Sequence, residues 1–163
     1  MPGADGGDRM AAIPRELYKT VEERLSARLN MTREAAEAVE KARSDASALK
    51  SPMQNRVGGR PSGTSDSVYI ATEAILRAEA LLRDAGKWEA VFTFLDSIFA
   101  GSQEGRIAEE LYFTTPRRTM SDVAVSLGVD RQTVRRMRDT YVTRAALLAA
   151  EAGLVQIGNY GRT

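Results

Sequence analysis

Apolar positions along this chain recur at intervals of three and four, the period of one helix face, and nowhere do they alternate as a half-buried strand requires. Pro14, tolerated in a helix's first turn, opens a stripe of Leu17, Val21, Leu25 and Leu29 with Tyr18 beside it, predicting a helix over 14–29. Thr32 is placed to cap a second helix, in which Ala35, Val39, Ala42, Ala46 and Leu49 recur. Small side chains in such a stripe permit close approach of another helix. They suit an N-terminal helical hairpin or a contact between copies of the chain, as a homodimer or higher oligomer; a peripheral helix pair with no role beyond packing is the plainer alternative. A third helix starts at Ser65 or Ser67, carries Val68, Ala71, Thr72, Ile75, Leu76 and Leu82, and ends near Gly86. Trp88, Val91, Phe92, Leu95, Ile98 and Phe99 then form the densest aromatic and aliphatic cluster, read as core rather than as a ligand pocket. Ile107, Leu111 and Tyr112 predict a further helix over 102–113. The fold class expected is all-α.

The run Thr114–Arg144 carries the strongest local signal. Gly128 separates a short apolar-patterned run, Met120 to Leu127, from a longer one starting at Arg131, and glycine accepts the positive φ of a sharp turn at low cost. Ala124, four residues earlier, supplies the small side chain a helix crossing needs. Thr119 or Ser121 caps the first run and Asp130 the second. Val134 and Met137 share a face that Tyr141, Ala145 and Leu148 continue, opposite Val123 and Leu127. This pattern predicts a helix-turn-helix over 120–144. The outer face of its second helix gathers Arg131, Gln132, Arg135, Arg136 and Arg138. Arginine pairs bidentately with guanine edges and glutamine with adenine, and the first turns of a recognition helix reach the bases. Arg131, Gln132, Arg135 and Arg136 are therefore the base-reading candidates. Arg117, Arg118, Arg138 and Arg144 are better placed for phosphates. A solvated charged face is the bland alternative. It would mix its signs, whereas residues 114–144 hold seven arginines against three aspartates.

Charge adds to this picture. The 163 residues carry a net charge of only +1, but residues 51–113 sum to −3 and residues 114–163 to +4. The basic excess thus falls on the turn motif, as a nucleic-acid surface requires. Cysteine and histidine are both absent, which removes disulfides, thiolate zinc sites, the commonest general base, and Ser-His or Cys-His nucleophile pairs. A carboxylate-only enzyme stays open; the expectation is no enzyme, no catalytic residue, no cofactor and no metal. No apolar run of 18 residues exists and the first ten residues have no apolar core, so neither a membrane span nor a secretory signal is expected, and the protein is read as cytoplasmic. Residues 1–12 read as a disordered tail and 154–163 as a C-terminal tail. Residues 51–64, with two Pro and three Gly, read as a flexible linker between N-terminal helices (13–50) and a helical domain (65–153). Their glycines lack the Lys-Ser/Thr ending of a phosphate-binding loop.

The run ELYFTTPRRTMSDVAVSLGVDRQTVRRMRDTYVTRAALL resembles region 4 of bacterial sigma factors and its relatives: a leading helix ending in an aromatic pair, a short helix, LGV, a polar cap and TV-R-R. That likeness covers about residues 88–150. The wider layout, helices and a Gly/Ser/Pro-rich linker before such a module, is similar to small phage late-gene regulators of the ArpU/RinA kind. Carried over, base reading falls on Arg131, Gln132, Arg135 and Arg136, and the turn on Gly128. One departure stands out: of the acidic residues common in the first helix of the motif, only Asp122 is present. The resemblance implies a sequence-specific transcriptional regulator of phage packaging and lysis genes, acting on double-stranded DNA, with RNA polymerase an open further partner. A small-terminase-like packaging protein also joins such a motif to oligomerising helices. A helical scaffold without nucleic acid is the third reading.

Overall fold

A computed structural model of the chain describes residues 13–49 and 64–158. The expected N-terminal tail, nearly all of the expected linker and residues 159–163 lie outside the described residues. Among the described residues every regular element is a helix: α1 (Arg15–Leu49), α2 (Thr64–Ile98), α3 (Gln103–Tyr112), α4 (Met120–Leu127) and α5 (Arg131–Glu151). The all-α class is as expected. None of these helices is long and apolar enough to cross a membrane.

Two helix boundaries differ from the sequence reading. The helices expected over 14–29 and 32–49 are one continuous α1 of 35 residues, so they form no hairpin with each other. Asn30-Met31-Thr32 holds neither glycine nor proline, and Met31 is buried, which keeps the helical register across the expected break. Likewise α2 does not stop at Gly86. A mid-helix glycine costs about 1 kcal/mol relative to alanine, less than the burial of Ala85 and Trp88 on either side returns.

The chain divides into two compact units, and the division falls inside both long helices. One unit is Leu29–Glu89; the other joins the described residues up to Arg28 to those from Ala90 onward. The expected boundary at 51–64 separated helices that the contacts group together. In the first unit, the later part of α1 pairs with the earlier part of α2. Arg43 Nη2 donates to Glu79 Oε1 at 3.0 Å, and Val39, Ala78 and Ala85 are buried. Of the α1 stripe, Val39 is buried in this pairing, while Ala35, Ala42 and Ala46 are half-buried.

The second unit has the larger core. Leu17, Val21 and Leu25 of α1, Phe92 and Leu95 of α2, and Ile107 and Leu111 of α3 are buried with Val123 of α4 and Val134, Tyr141 and Val142 of α5. Phe99 and Tyr141 rings stack tilted with centroids 5.1 Å apart. Arg28 lies over the Phe113 ring at 4.9 Å and pairs with Asp96 at 2.8 Å. Helices α3, α4 and α5 all contact one another.

The turn from α2 into α3 depends on a glycine whose need is not visible in sequence. Ser102 caps α3 and its Oγ accepts from the Gly105 N–H at 3.1 Å. A Cβ at Gly105 would lie 2.5 Å from the Phe99 carbonyl oxygen. That oxygen is fixed by the Ser102 N–H at 3.0 Å and the Ser102 hydroxyl at 2.7 Å, so it cannot retreat freely. Gly105→Ala is expected to destabilise the fold by ~1–3 kcal/mol in thermal or denaturant unfolding. An unchanged melting temperature would show that the turn yields without cost.

Candidate nucleic-acid interface

The first helix of the candidate motif, α4, is short and capped at both ends. Thr119 caps α4 through a reciprocal pair: its Oγ1 accepts from the Asp122 N–H at 3.2 Å, and its own N–H donates to Asp122 Oδ2 at 3.1 Å. The Thr119 hydroxyl, which donates to Asp122 Oδ2 at 2.7 Å, and then the Thr119 N–H hold the Asp122 carboxyl below the usual carboxylate range. At the other end Gly128 takes φ 66°, its N–H reaches the Val125 carbonyl at 3.3 Å, and the Val129 N–H reaches the Ala124 carbonyl at 3.1 Å. This is the paired closure of a Schellman motif. Two residues later Asp130 Oδ1 accepts from the Thr133 N–H at 2.7 Å and caps α5. That bond depresses the Asp130 pKa, keeping the cap charged at neutral pH. Three residues, Gly128 to Asp130, therefore separate α4 from α5.

The two helices meet where the sequence suggested. Val123, Ala124 and Val134 are buried, and Met137 is half-buried beside them on α5. Replacing Ala124 by Leu is expected to overpack this meeting point and cost ~1–3 kcal/mol in unfolding experiments. A variant as stable as the parent would place Ala124 away from any helix contact.

The opposite side of α5 presents its cations to water. Arg131, Gln132, Arg135 and Arg136 are all exposed. None of the guanidinium groups of Arg131, Arg135, Arg136 and Arg144 makes an ion pair with a described residue. Arg131 and Gln132 occupy the first turn of α5, and Arg135 and Arg136 the next, so the four form one patch at its N-terminal end. Arg144, also exposed, lies more than two turns further on.

The other candidate phosphate contacts are held differently. Arg117 and Arg118 are exposed before α4, yet Arg117 Nη2 donates to Ser26 Oγ and Arg118 pairs with Glu110. Both line a cleft of about 740 Å³ together with Lys19, Glu22, Glu23 and Arg138. Arg138 departs from its expected role. Its side chain is 19% exposed, Nη2 pairs with Asp139 at 3.1 Å, Nη1 lies 4.0 Å from Glu22, and its guanidinium lies 5.7 Å from the Tyr18 ring centre. Spacing put it on the basic face, but the α1 carboxylate and its own neighbour hold it against the fold.

Around Arg138 runs a polar network that the sequence reading missed. The Tyr18 hydroxyl donates to Asp139 Oδ1 at 2.6 Å, and the Tyr112 hydroxyl to Glu22 Oε1 at 2.8 Å. Burial first, then these carboxylate partners, pushes both phenols well above their ordinary pKa, so they stay protonated donors. No local spacing signals such pairs, because the partners lie 121 and 90 residues apart.

Comparison with protein-family models, with curated proteins and with solved structures yields no match.

Two classes of arginine should separate by experiment. Arg138→Ala leaves Glu22 and Asp139 without their cation and is expected to destabilise by about 1–3 kcal/mol. Arg131→Ala, Arg135→Ala and Arg136→Ala should each change stability by less than about 0.5 kcal/mol. Equal losses of melting temperature across all four variants would place the α5 patch inside the fold's own ion-pair network.

Proposed function

We propose that this chain binds double-stranded DNA through a helix-turn-helix formed by α4, the turn Gly128–Asp130 and α5, and that it acts as a sequence-specific transcriptional regulator. The observation that carries the reading is the α5 patch. Four side chains able to read base edges stand exposed on its first two turns, and its three guanidinium groups pair with no carboxylate of the described chain. A surface helix that served solubility alone would lace such charges with acidic partners, as Arg33 and Glu37 do at 3.8 Å on α1. Arg117 and Arg118 precede α4, where backbone phosphates pass, and exchanging their Ser26 and Glu110 partners for phosphate oxygens keeps each guanidinium satisfied. Arg144, nine residues beyond Arg135, stands exposed on the opposite side of α5, apart from this patch. Arg138 takes no part in this contact and instead fixes the helix that carries it. The similarity of residues 88–150 to sigma region 4 supports the same reading and extends it to phage packaging and lysis genes, with RNA polymerase as the further partner that such a regulator meets.

Affinity for a selected site and for random duplex, each over a salt series, tests this. Arg135→Ala and Arg136→Ala should bring the selected site closer to random DNA, each losing about 1–3 kcal/mol of discrimination. Arg117→Ala should weaken both duplexes alike and lower the salt slope by about one. Equal loss on both duplexes in the α5 variants would make that patch a phosphate contact. Absence of any salt-dependent duplex binding by the parent protein would end the proposal.

A further inference from the structure

Arg117 and Arg118 stand side by side before α4, yet the fold holds them by different chemistry. Arg117 Nη2 donates to a neutral partner, Ser26 Oγ, and makes no ion pair with a described residue. Arg118 is paired with the Glu110 carboxylate, and its Nη1 lies 3.4 Å from Ser126 Oγ. Glu110 meets no second cation among the described residues. It stands in the last turn of α3, where the helix presents its negative end and carries no basic residue. Its side chain is 23% exposed, against 43% for Arg118. The arginine is thus the partner with room to leave. The carboxylate stays with its helix, which Ile107 and Leu111 bury in the core.

We infer that Glu110 occupies the place of a DNA phosphate at Arg118, and so restrains how strongly the chain binds DNA without affecting which sequence it prefers. This rests on the DNA-binding reading above. Carboxylate and phosphate oxygens both match the guanidinium fork, so one displaces the other. When a phosphate takes Arg118, Glu110 is left at the negative end of α3 without a cation. That loss, with repulsion between Glu110 and the arriving phosphate, offsets most of what the new contact contributes. Arg117 gives up only a neutral hydroxyl and keeps nearly the whole gain of its phosphate contact. Salt dependence divides in the same way. A phosphate neutralised by either arginine releases a condensed cation. The vacated Glu110 attracts a cation in return, so the Arg118 contact leaves little net release. The α5 patch stands outside this exchange, since Arg131, Arg135 and Arg136 make no ion pair with Glu110 or any other described residue. Sequence choice is therefore untouched.

Affinity of the full chain for a selected and a random duplex, each over a salt series, tests the inference, with folding of every variant checked by circular dichroism and thermal melting. Glu110→Gln keeps the shape and an acceptor for Arg118 but removes the charge. It should tighten both duplexes alike, by about twofold to fivefold at about 0.1 M salt, the range of a partly exposed ion pair. It should also steepen the salt slope by about one. In the parent, Arg118→Ala should change that slope little; in the Glu110→Gln background it should lower it by about one. Glu109→Gln makes the same charge change on an exposed neighbour that holds no arginine, and should leave affinity within about 1.5-fold because salt screens such a charge. Three results would each overturn the proposal: Glu110→Gln binding as the parent does, Glu109→Gln tightening as much as Glu110→Gln, or Glu110→Gln tightening equally when Arg118 is already alanine. A parent that binds no duplex ends the DNA reading as well, whereas a parent that binds with any of those three results loses this restraint alone.

Discussion

A guanidinium taken most of the way out of water must find carboxylates, and Arg138 finds them on two helices. Glu22 comes from α1 and Asp139 from α5, while Met120 of α4 lends its Sδ at 3.4 Å. Each carboxylate also accepts a phenol, Tyr112 from α3 and Tyr18 from α1. One cation thus ties together four helices of the unit that holds the turn, and no side-chain nitrogen or oxygen buried among the described residues is left without a partner. Apolar packing alone would permit α5 to slide or rotate over Val21, Leu25 and Ile107. The network admits one register, since a shift strands a half-buried charge.

That constraint explains how so basic a helix is held. The arginines of α5 are divided by what packs beside them rather than by composition. Arg138 turns toward α1 and is neutralised there; Arg131, Arg135, Arg136 and Arg144 turn to solvent without ion-pair partners. The second half of α5 anchors the helix through Ala145, Ala146 and Ala149, all fully buried, and a glycine-closed end at Gly153. The first half then stands on a fixed base. A contact surface built this way loses little entropy on binding, because the helix is ordered beforehand.

Local chemistry was legible in the sequence wherever the cause is local. The Asp130 cap and the turn at Gly128 follow from residue type at fixed spacing, and both stand where the sequence put them. The choice of Thr119 over Ser121 needed only the reciprocal Asp122 three residues on. Two helix ends were misjudged because burial on either side outweighed the local signal. Thr32 is a good cap in isolation, but burial of Met31 overrides it, and Gly86 is carried through α2 by its neighbours. The fate of Arg138 was beyond reach, because only the fold brings Glu22, over a hundred residues away, beside it. Gly105 was silent for the same reason: its neighbour is a backbone oxygen set by the shape of a turn.

The eight residues of α4 show why these pieces belong together. A helix of two turns does not persist alone in water, since nucleation outweighs the few bonds it gains. Here a capping box closes one end, a left-handed glycine the other, and Val123 and Ala124 bury the inner face. Little is required of the outer face, where Ser121 and an 84% exposed Val125 stand in solvent and Ser126 Oγ accepts from Arg118 Nη1 at 3.4 Å. The helix is stabilised chiefly from its ends and from its buried side. It therefore sets the angle of α5 through the three-residue turn while leaving its own outer surface free. Under the proposed reading, that surface faces the DNA backbone or a protein bound beside it, and substitutions there alter contacts without altering the fold.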